Sequence, residues 1–160
     1  MARNPQQRRP ARKTSAGTRA ATPPALRYGA PLALETARRV MAAAEAEAAR
    51  NGWRVAIAIV DSSGHLVMLH RLDQAQYGAL ALAQAKAETA VAFRRTTRTL
   101  EDAVTGGERG LRMLTAPGVI AIEGGLPLLV GEEVVGAIGV SGVRSEQDVQ
   151  VAEAGAAALH

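Results

Sequence analysis

Glu123-Gly-Gly-Leu-Pro-Leu-Leu-Val-Gly-Glu-Glu-Val-Val-Gly-Ala-Ile-Gly-Val-Ser-Gly142 is the stretch whose reading decides the fold. Two apolar runs, Leu126 to Val130 and Val134 to Val140, flank Gly131-Glu132, a plausible hairpin turn. The remaining glycines fall inside or beside the runs, where they bring backbone close to something else, at Gly124-Gly125 and again from Gly139 to Gly142. Neither a Gly-Lys-Ser/Thr phosphate loop nor a strand-turn-helix GxGxxG is present. These glycines shape a sheet edge or pocket wall and by themselves name no chemistry.

Working outward, Val119 to Glu123 reads as a further strand before the hairpin. Upstream, Leu34, Ala37, Val40-Met41, Ala44 and Ala48 recur at three- and four-residue steps, and Asn51-Gly52 closes that helix with residues that tolerate left-handed backbone. Val55 to Val60 is a continuous apolar run, hence a central strand. Asp61-Ser-Ser-Gly64 turns it, and His65 to Arg71 returns. Alternation puts His65, Val67, Leu69 and Arg71 on one face of this strand and Leu66, Met68 and His70 on the other. An alanine-rich helix runs from about Tyr77 to Phe93, a second helical piece lies near Leu100 to Val104, and a short turn or helix ends near Leu114. A last helix spans about Glu146 to Leu159. Hairpin-linked strands with helices between them predict an α+β domain, with helices packed on a central antiparallel sheet of about five strands.

Composition narrows the chemistry. Cysteine is absent, which excludes disulfides, zinc-thiolate sites, iron–sulfur clusters and thiol nucleophiles. Tyr28, Trp53, Tyr77 and Phe93 are the only aromatics, so the core is built from alanine, valine and leucine. No apolar run is long enough to span a membrane. The net charge of +4 conceals an asymmetry. Residues 1–30 hold seven of the 19 basic side chains and none of the 15 acidic ones, which leaves residues 31–160 at −3. Residues 1–31, basic and poor in large apolar side chains, are expected to form a disordered tail ahead of a domain at 32–160. Arg8-Arg9 lacks the apolar segment that an export signal needs, and a cytoplasmic location is expected. A nucleic-acid role would rest on the tail alone, and a basic segment without aromatics supports only salt-sensitive, non-specific contact.

Three linked motifs carry a resemblance. Val60-Asp61, Gly64-His65-Leu66-Val67 and Arg71-Leu72-Asp73 form the first. Ala83-Gln-Ala-Lys86-Ala87-Glu-Thr-Ala90 is the second. The third comprises Pro117-Gly118, Gly124-Gly125-Leu126-Pro127, Val135-Gly136-Ala-Ile-Gly139-Val-Ser141-Gly142 and Gln147-Asp148 through Gly155. In this order they resemble the HbpS/GlcG-like family, which includes haem-binding proteins and the C-terminal domain of PduO proteins. The resemblance implies a profilin- or PAS-like domain that assembles as a homo-oligomer. It also implies haem, or a related tetrapyrrole, as a candidate ligand.

Haem needs an axial donor in an apolar slot, and thiolate is excluded here. His65, after the turn glycine, and His70 are the candidate ligands, on opposite faces of one strand, with Gly124 and Gly125 as close-approach backbone. The alternative is a cofactor-independent enzyme acting on a small anionic or enolisable metabolite. Arg71 or Lys86 would hold a carboxylate, glycine amides at Gly124-Gly125 and Gly139 to Gly142 would stabilise an oxyanion, and Glu123 would act as acid or base. Lys86, mid-helix among alanines, reads first as a solvated lysine. If buried, it demands a charge partner such as Glu123 or Asp73. Ser145-Glu-Gln-Asp148 reads as a capping box, with Ser145 as N-cap and Asp148 at N3. Glu101-Asp102 alone makes no metal site.

Overall fold

The computed structural model describes residues 26–160. The tail expected to be disordered lies, up to residue 25, outside the described residues. Arg27–Tyr28 (β1) is followed by helix α1 (Leu34–Asn51), strands β2 (Ala56–Asp61) and β3 (Leu66–Arg71), helices α2 (Gly78–Phe93) and α3 (Thr97–Thr105), a 3₁₀ turn at Gly110–Thr115, strands β4 (Gly125–Val130) and β5 (Glu133–Ser141), and helix α4 (Ser145–Ala157). β5 pairs antiparallel with β4 and with β2, and β2 pairs antiparallel with β3. The two residues of β1 run parallel to the start of β5.

The sheet thus has five strands, but not the five that the sequence predicts. Val119 to Glu123 is not a strand. Two of its amides go to side chains, Ile120 N–H to Thr89 Oγ1 at 3.0 Å and Glu123 N–H to Glu101 Oε2 at 2.8 Å, and Val119 N–H turns back to Ala116 O at 3.3 Å. With these amides committed, they are not offered to a ladder. β1 takes the fifth place, inside the segment assigned by composition to the tail. Two basic and aromatic residues are too few to show a period.

Helices cover both faces. α1 and α4 lie on Ile57, Ile59, Leu128, Ile138 and Val140, and α1 presents the stripe Ala37, Val40, Met41, Ala44 and Ala48. Gly52, at φ 67°, caps α1 by donating to Ala48 O and Ala49 O. On the other face α2 sets Ala79, Ala83, Ala87 and Ala90 against Ala56, Ala58, Val60 and Ala137. Small residues on both sides bring helix backbone almost onto sheet backbone. A Cβ on Gly139 would stand 2.0 Å from Ala83 O. The low aromatic content of the chain is therefore a packing requirement of this interface.

β3 departs from simple alternation. Ile59 pairs with Met68 but Val60 pairs with Leu66, so Val67 is bulged out of register. Leu66 thereby moves to the α2 side with Leu69 and Arg71, while Val67 joins Met68 beside α1 and α4. The expected grouping of His65, Val67, Leu69 and Arg71 is broken at Val67, because an extra residue shifts the period-2 pattern by one. Register also fixes the two ends of the sheet. Arg71, Ala56 and Ser141 stand abreast at one end, near Gly125 and Gly139, and the Asp61–His65 turn occupies the other. α2 spans the two, starting beside Ser141 and ending beside the turn.

Candidate functional site

α2 directs Lys86 at the sheet beneath the Gly124-Gly125 segment. The side chain is 1% exposed. Its Nζ donates to Val140 O and to Asp148 Oδ2, both at 2.9 Å. Lys86 is therefore not the solvated helix lysine that its alanine surroundings suggest, and its partner is neither Glu123 nor Asp73. Asp148 sits in the first turn of α4, where its Oδ1 also accepts from Val143 N–H at 3.2 Å. Burial raises its pKa above the ordinary carboxylate value, against the opposing pull of the Lys86 ammonium and of the hydrogen bonds from Lys86 and Val143 N–H.

The capping box forms differently from its sequence reading. Arg144, with extended backbone, holds the N-cap position, and Gln147 Oε1 accepts from Arg144 N–H at 3.3 Å. Asp148 is left free to face Lys86. Nothing in the spacing selects it from among the acids, because Lys86 and Asp148 meet only when α2 and α4 dock on either side of the end of β5.

Gly124 and Gly125 make room for this pair. Gly124 has φ +119°, and a Cβ there would stand 2.7 Å from Val140 O and 2.8 Å from Lys86 Nζ. A Cβ on Gly125 would meet Lys86 O at 2.4 Å. Two of their backbone groups are already engaged. Gly125 N–H donates to Thr97 Oγ1 at 2.9 Å, and Gly124 O accepts from Val140 N–H at 2.9 Å. Beside them is a cavity of about 80 Å³ bounded by Thr96, Arg98, Leu126, Val149 and Glu153. Glu123, largely buried, keeps Oε2 3.8 Å from Arg98 Nη1.

The structure gathers Lys86, Glu123, Gly124 and Gly125 at one corner of the sheet. Arg71 stands apart, at the end of β3, with its guanidinium 4.8 Å from the ring centre of Tyr77.

The histidines lie elsewhere again. His70, facing α1, places Nδ1 2.7 Å from Glu45 Oε1. His65 is exposed beyond the β2–β3 turn, with Nδ1 3.2 Å from Ser63 Oγ and 4.0 Å from Asp61 Oδ1. Asp61 organises that turn by accepting from Ser63 N–H, Ser63 Oγ–H and His65 N–H. Burial pushes the Asp61 pKa up, but these hydrogen bonds and the neighbouring His65 imidazole outweigh it and hold the carboxyl below its usual value.

Next to this turn is an open cleft of about 720 Å³, lined by Tyr28, Ser62, Ser63, Gly64, Glu88 and Val91. Tyr28 Oη crosses to the C-terminal end of α2, donating toward Val91 O at 3.1 Å and Ala92 O at 2.9 Å. Among the described residues no group of three or more His, Asp or Glu could hold a metal ion. Among them too, no helix is long and apolar enough to cross a membrane.

The architecture defines a mixed α+β domain: an open five-stranded sheet flanked by helices, with a buried lysine–aspartate pair under a Gly-Gly segment. The family described as haem-degrading protein HbpS-like matches residues 32–157, and the chain belongs to that family. It is 41% identical to protein GlcG of Escherichia coli K12 over 110 residues, covering 69% of this chain and 81% of that protein. The solved PduOC:haem complex superposes with a TM-score of 0.73 at 31% identity, over 80% of this chain and 94% of that one. The HbpS double mutant of Streptomyces reticuli gives a TM-score of 0.77 at 31% identity, over 92% of this chain and 99% of that one.

Proposed function

We propose that the domain binds haem or a related tetrapyrrole in the cleft at the β2–β3 turn, with His65 as the axial donor. The observation that carries this reading is an open cleft whose wall ends at Gly64, next to His65, which is not itself a lining residue but is oriented through one ring nitrogen by the same turn. At about 720 Å³ the cleft falls within the range of small-molecule and cofactor sites, roughly 300–1,000 Å³. Ser63 and Asp61 lie on the Nδ1 side of His65, which leaves Nε2 directed away from the turn. Histidines that ligate metals are commonly held in this way. Val91 and Ala92 supply an apolar wall, and Tyr28 is the one aromatic among the lining residues. Similarity to the PduOC:haem complex supports haem as the ligand. Haem would bring a redox-active iron. The protein's part would be to ligate it through His65 and to cover one face.

Titration of the full chain with hemin, followed by absorption, tests the proposal. A saturable Soret band at one haem per chain, lost in H65A and kept in H70A, is the expected result. A broad, non-saturating change that is the same in both variants would overturn it.

The second reading, cofactor-independent turnover of a small anionic or enolisable metabolite, draws on Lys86 and Glu123 lying beside Gly124-Gly125. It requires the Gly124 segment to open, since Lys86 Nζ is enclosed and Gly125 N–H is committed to Thr97. It also requires Arg71 to act from the far side of β2.

A further inference from the structure

The opposite end of α2 carries a second depression, of about 340 Å³. Gln76, Gly78, Leu82, Ser141, Gly142 and Val143 line it. α2 is 16 residues long and begins here without a side-chain cap. Ala79 N–H and Leu80 N–H turn back to Gln76 O and Tyr77 O, while Gly78 N–H has no acceptor among the described residues. An uncapped N-terminus presents partial positive charge and open donors.

Ser141 is the independent observation. It is only 5% exposed. Its Oγ makes no hydrogen bond among the described residues, yet no fully enclosed side-chain polar atom among them lacks a partner. Its Oγ is therefore not fully enclosed, and Ser141, on the α2 side of the sheet by its register with Ala56, lines the depression together with Gly78. An unpartnered donor in such a wall, across from an uncapped helix N-terminus, asks for an acceptor between them.

Charge favours an anionic acceptor. Arg71, Ala56 and Ser141 stand abreast on the α2 side of the sheet, which puts the Arg71 and Ser141 backbones about 10 Å apart, two strand spacings. The Arg71 guanidinium lies over Tyr77, the residue that precedes α2. Asp73, exposed in the same connection, is the nearest acid to Arg71 along the chain, and Asp148, which accepts from the Val143 amide in the opposite wall, is paired with Lys86.

We infer that this depression binds a small anionic group, a carboxylate or a phosphate, between the Gly78 amide at the start of α2 and the Ser141 hydroxyl, with Arg71 at its mouth. The site is separate from the haem cleft. From Gly78 to Ala92 the helix axis covers roughly 20 Å. Failure of one reading therefore leaves the other standing.

Calorimetric titration of the full chain with inorganic phosphate, and separately with acetate, at constant ionic strength tests it. The expected result is one saturable site per chain for at least one of the two anions, and the anion that binds identifies the class. S141A should weaken binding by roughly ten- to hundredfold, the usual range for one lost hydrogen bond to a charged group, with little change in melting temperature. Q76E is the second variant, at an exposed position. It should weaken binding by adding a negative charge at the mouth, while a carboxylate near a helix N-terminus leaves the fold slightly more stable. No saturable heat with either anion would overturn the inference. So would an affinity unchanged in both S141A and Q76E, since the anion would then be held by basic residues elsewhere.

Discussion

Lys86 Nζ stands 2.9 Å from Asp148 Oδ2 across the end of β5, with the side chains 1% and 3% exposed. The pair joins α2 to α4 through the sheet, and its third partner is the carbonyl of Val140. Removing one member of a buried ion pair costs about 3–5 kcal/mol, because the other is left charged and unpaired in an apolar setting. K86M is therefore expected to lose about that much stability in chemical denaturation. K86M/D148L, which removes both charges, should recover a large part of the loss. A double variant no more stable than K86M would show that the pair does not act as a unit.

The glycines near the pair separate steric from conformational cost. G139A would force a Cβ to 2.0 Å from Ala83 O and push α2 off the sheet. A loss of about 1–3 kcal/mol or more is expected, as for overpacked cores. Gly131, at φ +60°, has open space where a Cβ would stand, with nothing within 4 Å. G131A should cost only the left-handed backbone penalty, about 1 kcal/mol. Equal losses in the two variants would contradict the close helix–sheet contact.

Acid should loosen the β2–β3 turn through Asp61. Its carboxyl titrates below the ordinary value of 3.8 in the folded chain. The stabilisation is thus complete above the unfolded pKa and is lost as pH falls through the lower, folded one. Melting temperatures of wild type and D61N should differ near neutral pH and converge under acid. A gap that persists or widens at low pH would reverse the assigned sign.

The two histidines should separate cleanly. His70 lies 2.7 Å from Glu45 on α1, and both side chains are partly exposed. H70A is expected to cost less than about 1 kcal/mol, the range of surface ion pairs, and to leave haem spectra unchanged. H65A should cost little stability, since the imidazole is the smallest of the influences on Asp61, and should abolish the Soret band. A spectrum lost in H70A instead would move the site to the α1 face.

Self-association has a surface to use. Leu111 and Leu114 on the 3₁₀ turn, and Ile122 beyond it, are exposed. Exposed large apolar side chains gathered on one segment favour a protein contact. We expect light scattering to report a homo-oligomer, and L111E/L114E to shift it toward smaller species. An unchanged mass would place the contact elsewhere.

Periodicity and turn chemistry by themselves determined most of the elements. The hairpin around Gly131, the left-handed cap at Gly52 and the alanine stripe of α2 are local patterns, and each predicts its own element. The linked motifs likewise determined the family. Tertiary structure decided what depends on distant partners. Val119 to Glu123 is apolar enough for a strand, but side chains from Thr89 and Glu101 take amides that a ladder would have used. β1 exists only because β5 offers it an edge. The bulge at Val67 redistributes β3 between the faces without altering the composition of the strand. Lys86 follows the same logic: its place on α2 is local, but its burial and its choice of Asp148 arise where two helices, with the paired residues 62 apart in sequence, meet at the end of one strand. Ser141 appears in the sequence only as part of a motif, and its place in one depression with the start of α2 comes from the docking of that helix on the sheet. Short-range geometry is encoded residue by residue, whereas a site is a set of distances between elements, and packing alone fixes those.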